Sequence, residues 1–198
     1  KSAIKDIITG SDRLKTYISN IVDTSRLTEA AGTKLDKVTM VNLSKLVRER
    51  TSRYKKTFLD DKHKAQFKLM VDQDLMVECN EHYITQLLDN LISNADKYGE
   101  NSLIKISLRR MNSIMVEFKI TDHGIGIPKE ELSDIFKSFT TSSKTRTSAG
   151  GRGLGLALCQ KVIDAHQGKI LAESDNENGT TFLFVIPIHY HYKALWLK

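Results

Sequence analysis

The stretch NLISNADKYG, residues 90–99, belongs to a helical pattern with two distinct faces. Counting about 100° per residue, the apolar positions on one side of the helix are Ile84, Leu88, Leu91 and Ala95. A polar row lies roughly 100° away and consists of Asn90, Asn94 and Lys97. The pattern predicts a helix over 81–98 that buries one face and holds polar side chains on another.

The polar row is chemically suited to a nucleotide. An amide oxygen is a hard, neutral ligand for Mg²⁺, and Lys97 places a positive charge one turn beyond the asparagines, where phosphates would lie. Tyr98 adds a flat ring on which a base could stack. Taken alone, the row is more simply explained as a solvated helix side that carries incidental asparagines.

Strand patterns lie on both sides of this helix. Alternating or β-rich runs occur in AQFKLMV, SLIKISL, SIMVEFKIT, GKILAES and TTFLFVIPI. Further helical patterns are predicted from Leu43 to about Phe58, over about 129–137 and over 153–167, the first with Asn42 or Ser44 at its cap. Strands that alternate with helices predict an α/β fold, a two-layer sandwich of a mixed sheet with helices on one face.

The first helix has a different period. Apolar and small residues recur at alternating steps of three and four, at Ile4, Ile7, Ser11, Leu14, Ile18, Ile21 and Ser25. A repeat of about 3.5 residues is typical of a coiled-coil seam, which requires a partner helix from another copy or from upstream sequence. A helix packed on its own domain is the alternative. Gly32 is the predicted end of this segment.

Composition excludes several classes of protein. The 198 residues are 40% hydrophobic and 27% charged, and no apolar run approaches the roughly 18 residues needed to cross a bilayer. The net charge of +6 is scattered, so a nucleic-acid face is not indicated, and a small polyanionic ligand is served equally well. Cys79 and Cys159 lie far apart, which suits reduced thiols, in the core or at the surface, better than a disulfide scaffold. The absence of an initiator methionine suggests a piece of a longer protein.

Two further segments carry possible ligand chemistry. In DHGIGIP, Asp122 follows a strand, so its carboxylate can accept a hydrogen bond from the amino group of adenine and repel the carbonyl of guanine. In AGGRGLGLAL, a glycine-rich segment enters an apolar helix, whose first N–H groups and dipole make an anion site. The polar loop before it carries Lys144, Arg146 and Arg152. Each segment alone is also compatible with an ordinary turn or helix start.

In combination, the three segments resemble the catalytic ATP-binding region of sensor histidine kinases. Their superfamily includes gyrase, mismatch-repair ATPases and the large heat-shock chaperone. NLISNADKYG is similar to its N box, DHGIGI to its first glycine box, IFKSF to its F box and GRGLGLAL to its second glycine box, and GTTFLFVIPI resembles its closing strand. The likeness runs in unbroken order from about Asn42 to Ile188 and implies the Bergerat ATP-binding fold.

The resemblance implies a role for each matching residue. Asn94 would bind Mg²⁺ with help from Asn90, Lys97 would contact phosphate, and Tyr98 would lie against adenine. Asp122 would accept from the adenine amino group within a pocket shaped by Gly124, Gly126 and Ile127. The phosphates would contact Gly151, Arg152, Gly153, Leu154 and Gly155. Phe136 and Phe139 would anchor the flexible lid, and Phe139 would also contact the nucleotide, unless both phenylalanines belong to the ordinary core.

The resemblance also implies the reaction. Hydrolysing relatives carry a glutamate at the position of Asn90, and an amide cannot take a proton from water at neutral pH. We therefore predict a protein histidine kinase that transfers the γ-phosphoryl of MgATP to a histidine outside this sequence. None of the six histidines has the sequence context of that acceptor. A degenerate nucleotide-binding or dimerisation module is the alternative, and an ATPase or serine kinase of the superfamily is less favoured.

The organisation that follows has three parts. Residues 1–40 resemble the second helix of a dimerisation and phosphotransfer hairpin with its linker, 41–190 the catalytic domain, and 191–198 a tail. The expected partners are ATP, the receiver domain of a response regulator, and a second copy through the first helix, with no nucleic acid and no membrane contact. The expected location is the cytoplasm, as part of a protein that could be membrane-anchored.

Overall fold

A computed structural model describes residues 2–29, 35–57, 66–100, 102–145, 153–175 and 179–190 of this chain. The helices are α1 (Ser2–Glu29), α2 (Leu43–Thr57), α3 (Glu81–Tyr98) and α4 (Gly155–Ala165). The strands are β1 (Thr39–Asn42), β2 (Gln66–Val71), β3 (Met76–Cys79), β4 (Leu103–Arg110), β5 (Met115–Thr121), β6 (Lys169–Ser174) and β7 (Thr180–Pro187). None of the helices in these ranges combines the length and apolar character required to cross a membrane.

Five strands form one mixed sheet in the order β2-β4-β5-β7-β6. β2 pairs with β4 in parallel, and the other three pairs are antiparallel. Burial alternates along the strands, so that Ile104, Ile106 and Leu108 of β4 are buried. Across the sheet Phe118 stacks on Phe184, with ring centroids 4.9 Å apart. Since α2, α3 and α4 pack on the buried face, the predicted two-layer α/β sandwich is the observed one.

The central helix α3 has the predicted bounds. Asn80 caps its start, because its Oδ1 accepts a hydrogen bond of 3.1 Å from the backbone N–H of Tyr83. The buried side consists of Ile84, Leu87, Leu88, Leu91, Ile92 and Ala95. The cap determines where the helix begins, and the buried stripe determines which face is left for a ligand.

The start of α2 and both cysteines also follow the sequence. Asn42 is the cap of α2, since its Oδ1 accepts from the N–H of Lys45 at 2.9 Å, whereas Ser44 accepts from the N–H of Leu75. Cys79 and Cys159 are both buried free thiols, so the core alternative is confirmed for each.

Two features differ from the sequence prediction. The predicted helix over 129–137 is wrong, because only Lys129–Glu131 forms a short 3₁₀ helix and turns follow it. Asp134 and Lys137 both donate to carbonyls three residues earlier, which is a tighter winding than an α-helix. The two-stranded sheet of β1 and β3 was not predicted, because its strands are too short to show a period.

Helix α1 packs against α4 through a face that the seam does not use. Among the side chains of α1 that the structure describes, Asn20, Asp23 and Leu27 are buried, whereas Leu14, Ile18 and Ile21 of the seam remain about half exposed. One face of α1 therefore packs on the domain, and the described residues of the apolar seam, on another face, remain exposed. The side chains of Ile4 and Ile7, and all of Gly32, lie outside the described part of the chain.

Candidate functional site

A pocket opens between α3, the loop after β5, the segment 140–142 and the start of α4. Ten of the predicted site residues line it: Asn90, Asn94, Lys97, Tyr98, Asp122, Gly126, Ile127, Gly153, Leu154 and Gly155. They come from three segments that are far apart in sequence. The fold therefore brings the N-box and glycine-box segments to one cavity.

The polar row of α3 forms one wall. Asn90 and Asn94 are separated by one turn, so both amides face the pocket that they line. Lys97 follows on the same side, where its Nζ lies 3.0 Å from the hydroxyl of Tyr98 and 4.7 Å from the centroid of its ring. The apolar stripe of α3 is buried in the core, which holds this wall in a single orientation.

Asp122 lies at another part of the pocket and is only 4% exposed. Burial raises the pKa of its carboxyl, and hydrogen bonds from the backbone N–H groups of Gly124 and Thr180 oppose that rise. Both bonds end on Oδ1, at 3.0 and 3.2 Å. Among the described residues none bonds to Oδ2, so this oxygen can accept a hydrogen bond from a ligand.

Gly124 shapes the pocket without lining it. A Cβ at this position would lie 1.8 Å from the carbonyl oxygen of Tyr98. The next residue, Ile125, donates its N–H to the same oxygen at 3.2 Å and lines the cavity. Glycine is therefore required for the loop after β5 to pack against the end of α3.

The opposite wall is the segment before α4. Thr140, Thr141 and Ser142 line the pocket there. The segment is held at two points beyond them: the carboxylate of Glu131 accepts from the N–H of Ser143 at 3.1 and 3.2 Å, and Lys144 Nζ donates to the carbonyl of Ile125 at 2.9 Å. The sequence predicted a basic loop here but neither of these contacts.

The two phenylalanines of the F box have different environments. Phe139 is 74% exposed and does not line the pocket, so the structure does not bring this predicted nucleotide contact to the site. Its backbone N–H nevertheless donates to the carbonyl of Gly153 at 3.0 Å. Phe136 packs edge-on against Phe182, with centroids 6.3 Å apart, as part of the partly buried core. Gly151 and Arg152, with Arg146, lie outside the described residues.

Several lining residues were missed by sequence reasoning. Ser93 falls in the polar row of α3 and could have been found from that period. Ile125 and Leu156 lie within the glycine boxes, whereas Ile135, Thr180 and Phe182 read as ordinary core or strand positions. Asn20 enters from α1, about 70 residues before Asn90, and no local pattern marks it.

The donor set suits a metal that arrives with a polyanion. Within the described ranges, no cluster of three or more His, Cys, Asp or Glu side chains could hold a cation. The pocket instead offers the neutral amides of Asn90 and Asn94, and Mg²⁺ is commonly held by one or two protein oxygens together with phosphates and water. A Cβ at Gly155 would lie 2.9 Å from Asn90 Oδ1, so the start of α4 approaches this amide closely.

Two curated relatives share much of this sequence. A family model described as "Histidine kinase-, DNA gyrase B-, and HSP90-like ATPase" matches residues 79–190. Sensor histidine kinase WalK of Bacillus subtilis is 36% identical over 140 residues, which are 69% of this chain and 23% of WalK. Sensor-like histidine kinase SenX3 of Mycobacterium tuberculosis is 32% identical over 183 residues, 91% of this chain and 43% of SenX3. The chain thus spans less than half the length of either relative.

Solved structures show the same fold. The catalytic domain of histidine kinase ThkA is 35% identical, with a TM-score of 0.67, and the alignment covers 77% of this chain and 99% of that domain. ThkA solved in complex with the response regulator protein TrrA is 32% identical, with a TM-score of 0.72 over 97% of this chain and 52% of ThkA. The longer alignment covers nearly the whole chain.

Proposed function

Because this chain belongs to the histidine kinase-, DNA gyrase B- and HSP90-like ATPase family, with the catalytic domain of a sensor histidine kinase, we propose that it binds MgATP and transfers the γ-phosphoryl to a histidine. The observation that carries the proposal is that Asp122 and the amide row of α3 line the same pocket. A buried carboxylate and a row of neutral amides with a lysine match the two ends of an adenine nucleotide.

The adenine end is Asp122. Its Oδ2 would accept a hydrogen bond from the exocyclic amino group, while Oδ1 stays fixed by Gly124 and Thr180. Guanine presents a carbonyl oxygen at that position, so a carboxylate would repel it. The walls beside this end include Ile125, Gly126 and Ile127.

The phosphate end is the row of α3 with the start of α4. Asn94 and Asn90 would supply oxygen ligands to Mg²⁺, and Lys97 would neutralise phosphate charge. The N–H groups around Gly153 and Gly155, where α4 begins, would bind phosphate oxygens. Gly151 and Arg152 remain predictions from the sequence. The metal would supply charge neutralisation on the transferring phosphoryl group.

Transfer to a histidine does not require a general base that takes a proton from an attacking water molecule. A nitrogen of the acceptor imidazole would form a bond to the γ-phosphorus, the bond to the bridging oxygen would break, and ADP would leave. Asn90 holds an amide where a hydrolytic enzyme needs a proton acceptor, which favours transfer over hydrolysis. Positioning and charge neutralisation are then the main catalytic devices.

The partners are also part of the proposal. ThkA was solved with a response regulator, and we extend that class of partner to this chain. The phosphohistidine formed on the acceptor, which lies outside this sequence, would pass its phosphoryl group to a receiver aspartate. The exposed seam of α1 would pair with a second copy. Both cysteines are buried free thiols, which suits the reducing cytoplasm that the sequence predicted.

A comparison of ATP with GTP tests the proposed role of Asp122 in adenine recognition. The chain should bind MgATP at least about tenfold more tightly than MgGTP in calorimetry, and Asp122→Asn should remove most of that preference, since an amide can also donate to the guanine carbonyl. Equal affinity of the unaltered chain for both nucleotides would contradict the assignment of Asp122. No binding of either would leave the degenerate module as the better account.

Transfer is tested with a supplied acceptor. The chain and γ-labelled ATP should label a polypeptide that carries the dimerisation and phosphotransfer hairpin, as an acid-labile phosphoramidate. The same hairpin with its histidine replaced by alanine is the control. Tight MgATP binding without labelling of several such hairpins would favour a module that senses nucleotide without transferring phosphate.

A further inference from the structure

Helix α2 contacts α3 at the turn where the amide row begins. The hydroxyl of Tyr54 donates to the backbone carbonyl of Asp89 at 3.1 Å, and its ring packs partly buried against the core. Arg50, one turn earlier on α2, donates to the carboxylate of the same Asp89 from Nε and Nη2, at 2.8 and 2.5 Å. Because Asp89 immediately precedes Asn90, these contacts fix α3 at the start of its polar row.

Tyr54 also determines the direction of the Ser93 hydroxyl. Burial and the charge of Asp89 raise the pKa of Tyr54 to about 12, and a hydrogen bond from the side chain of Ser93 opposes that rise. A hydrogen bond lowers the pKa of a phenol when the phenol oxygen is the acceptor, so Ser93 is the donor. The two hydroxyls therefore form a chain with one direction, in which Ser93 donates to Tyr54 and Tyr54 donates to the Asp89 carbonyl.

Ser93 lines the nucleotide pocket beside the two asparagines. At about 100° per residue, Ser93 lies about 60° to one side of Asn90, and Asn94 lies about 40° to the other side. A serine hydroxyl has one proton and two lone pairs. Since the proton is donated to Tyr54, the oxygen of Ser93 can only accept hydrogen bonds from a ligand.

An oxygen that only accepts does not suit a phosphate at this end of the pocket. Phosphate oxygens are acceptors themselves and need donors, which Lys97 and the N–H groups at the start of α4 can supply. The water molecules on a bound Mg²⁺ are donors, and Mg²⁺ in proteins usually keeps several of them. The ligand that fits Ser93 is therefore the water shell of the metal that the neighbouring amides would bind.

We propose that Ser93 accepts a hydrogen bond from a water molecule bound to Mg²⁺, and that Tyr54 is the positioning residue that holds Ser93 in the accepting orientation. This inference rests on the proposed nucleotide function. It extends the metal site from α3 to α2, since Tyr54 lies outside residues 79–190 that the family model matches. Its effect should appear in the metal dependence of nucleotide binding and not in the binding of metal-free nucleotide.

The first test compares ATP binding in Mg²⁺ with ATP binding in EDTA, by displacement of a fluorescent adenine nucleotide. Ser93→Ala should weaken MgATP binding about three- to tenfold, the usual effect of one hydrogen bond, and leave metal-free ATP within about twofold. Alanine favours the helix, so this variant should keep its fold.

Tyr54→Phe should have a smaller effect with the same dependence on metal. The Ser93 hydroxyl then loses its acceptor and can turn its proton toward the pocket, so MgATP binding should weaken about two- to fivefold. Tyr83→Phe is the matched control, because Tyr83 is a half-buried tyrosine of α3 that does not line the pocket. It should change neither affinity.

A double-mutant cycle separates positioning from a general effect on the fold. If Tyr54 acts through Ser93, then Tyr54→Phe should weaken MgATP binding no further once Ser93→Ala is present. A general loss of stability would instead weaken binding in both backgrounds. Additive effects of the two substitutions would overturn the positioning role of Tyr54.

A count of water molecules on the metal completes the design. Mn²⁺ replaces Mg²⁺ as the probe, and its electron paramagnetic resonance spectrum in ¹⁷O-enriched water reports how many water molecules it binds. The complexes of MnATP with the unaltered chain and with Ser93→Ala should hold equal numbers, because Ser93 contacts a water molecule and not the metal. One additional water molecule in Ser93→Ala would make Ser93 a direct ligand and overturn the proposal.

Two further outcomes are distinguishable. If the chain binds MgATP and Ser93→Ala binds it equally well, the role of Ser93 is refuted while the nucleotide function stands. If the chain does not bind MgATP at all, the proposed function itself fails, and the inference about Ser93 and Tyr54 fails with it.

Discussion

Helices α3 and α1 distribute polar and apolar residues in opposite ways. Helix α3 buries Leu88 and Leu91 completely and presents Asn90 and Asn94 to the pocket. Helix α1 leaves Leu14 and Ile18 each 55% exposed, and among its described side chains it buries Asn20 and Asp23 together with Leu27. Both helices are amphipathic, but α3 buries its apolar face within the domain and α1 leaves its apolar seam exposed.

The difference distinguishes an apolar face that is buried within the domain, on α3, from an apolar face that only another helix can bury, on α1. The apolar stripe of α3 is removed from water within the chain, so its position is part of the folding free energy of the domain. The apolar seam of α1 gains that free energy only when another helix covers it. Among the described residues, the domain holds α1 through the burial of Leu27 and through hydrogen bonds such as the one from Gln86 to Asp23. Hydrogen bonds contribute less net free energy than apolar burial and can be exchanged for water.

The largest effect on stability is expected from shortening a side chain in the buried apolar stripe of α3. Leu88→Ala should lower the free energy of unfolding by about 2–5 kcal/mol, because the side chain is fully buried and leaves a cavity. Urea denaturation followed by circular dichroism measures the change. If the free energy of unfolding fell by less than about 1 kcal/mol, burial of the apolar stripe would not be what fixes the orientation of α3 and its polar row.

The polar row itself gives the next largest effect. Asn94→Ala should weaken MgATP binding at least about a hundredfold, or about 3 kcal/mol, because it removes the side-chain oxygen that we propose as a ligand of Mg²⁺. Omitting Mg²⁺ should weaken the unaltered chain to a similar degree and leave Asn94→Ala almost unchanged. Calorimetry with and without Mg²⁺ checks both. Retained metal-dependent binding by the variant would remove the metal assignment.

Low pH should weaken the contact between the end of α4 and the start of α3, and so destabilise the fold. His166 ends α4 and is buried, and its Nε2 accepts from the N–H of Asn80, the cap of α3, at 3.0 Å. Burial lowers the pKa of His166 to about 4, below the value of about 6.5 in the unfolded chain. Between these values the unfolded state binds the extra proton, so stability is complete above about pH 6.5 and is lost as the pH falls toward 4.

The size of that loss is on the order of 3 kcal/mol, about 1.4 kcal/mol for each unit of pKa shift. His166→Gln keeps an acceptor for Asn80 without titrating, so it is the matched control. Unfolding free energies measured from pH 7.5 to 4.5 should fall more steeply for the unaltered chain than for the variant. Parallel curves would mean that His166 is solvated in the native state.

The smallest effect is expected on the seam of α1. Ile18→Ala should change the free energy of unfolding by less than about 0.5 kcal/mol under monomeric conditions, because the side chain is 55% exposed and makes no part of the core. At concentrations where sedimentation detects self-association, the same substitution should weaken it. A large loss of monomer stability would instead mean that the seam packs within the chain.

Many elements of the domain could be predicted from the sequence, because the residue patterns that indicate them lie within short segments. The bounds of α3 follow from a period of 3.6 residues, and the strands of the large sheet follow from alternation. The segment over 129–137 was predicted wrongly because turns can bury Ile135 at the same spacing that a helix would. β1 and β3 are too short for any period to be detected.

The sequence by itself determined the α/β class, the bounds of α3 and half of the residues that line the pocket, because these depend on side chains that are neighbours within one turn, one strand or one motif. Only the tertiary structure decided that Phe139 stays outside the pocket, that Glu131 and Lys144 hold the segment opposite α3, and that Asn20 enters from α1. The physical reason is distance along the chain. Such contacts depend on how separate elements pack, and the free energy that selects one packing is shared by many residues rather than written in any one stretch.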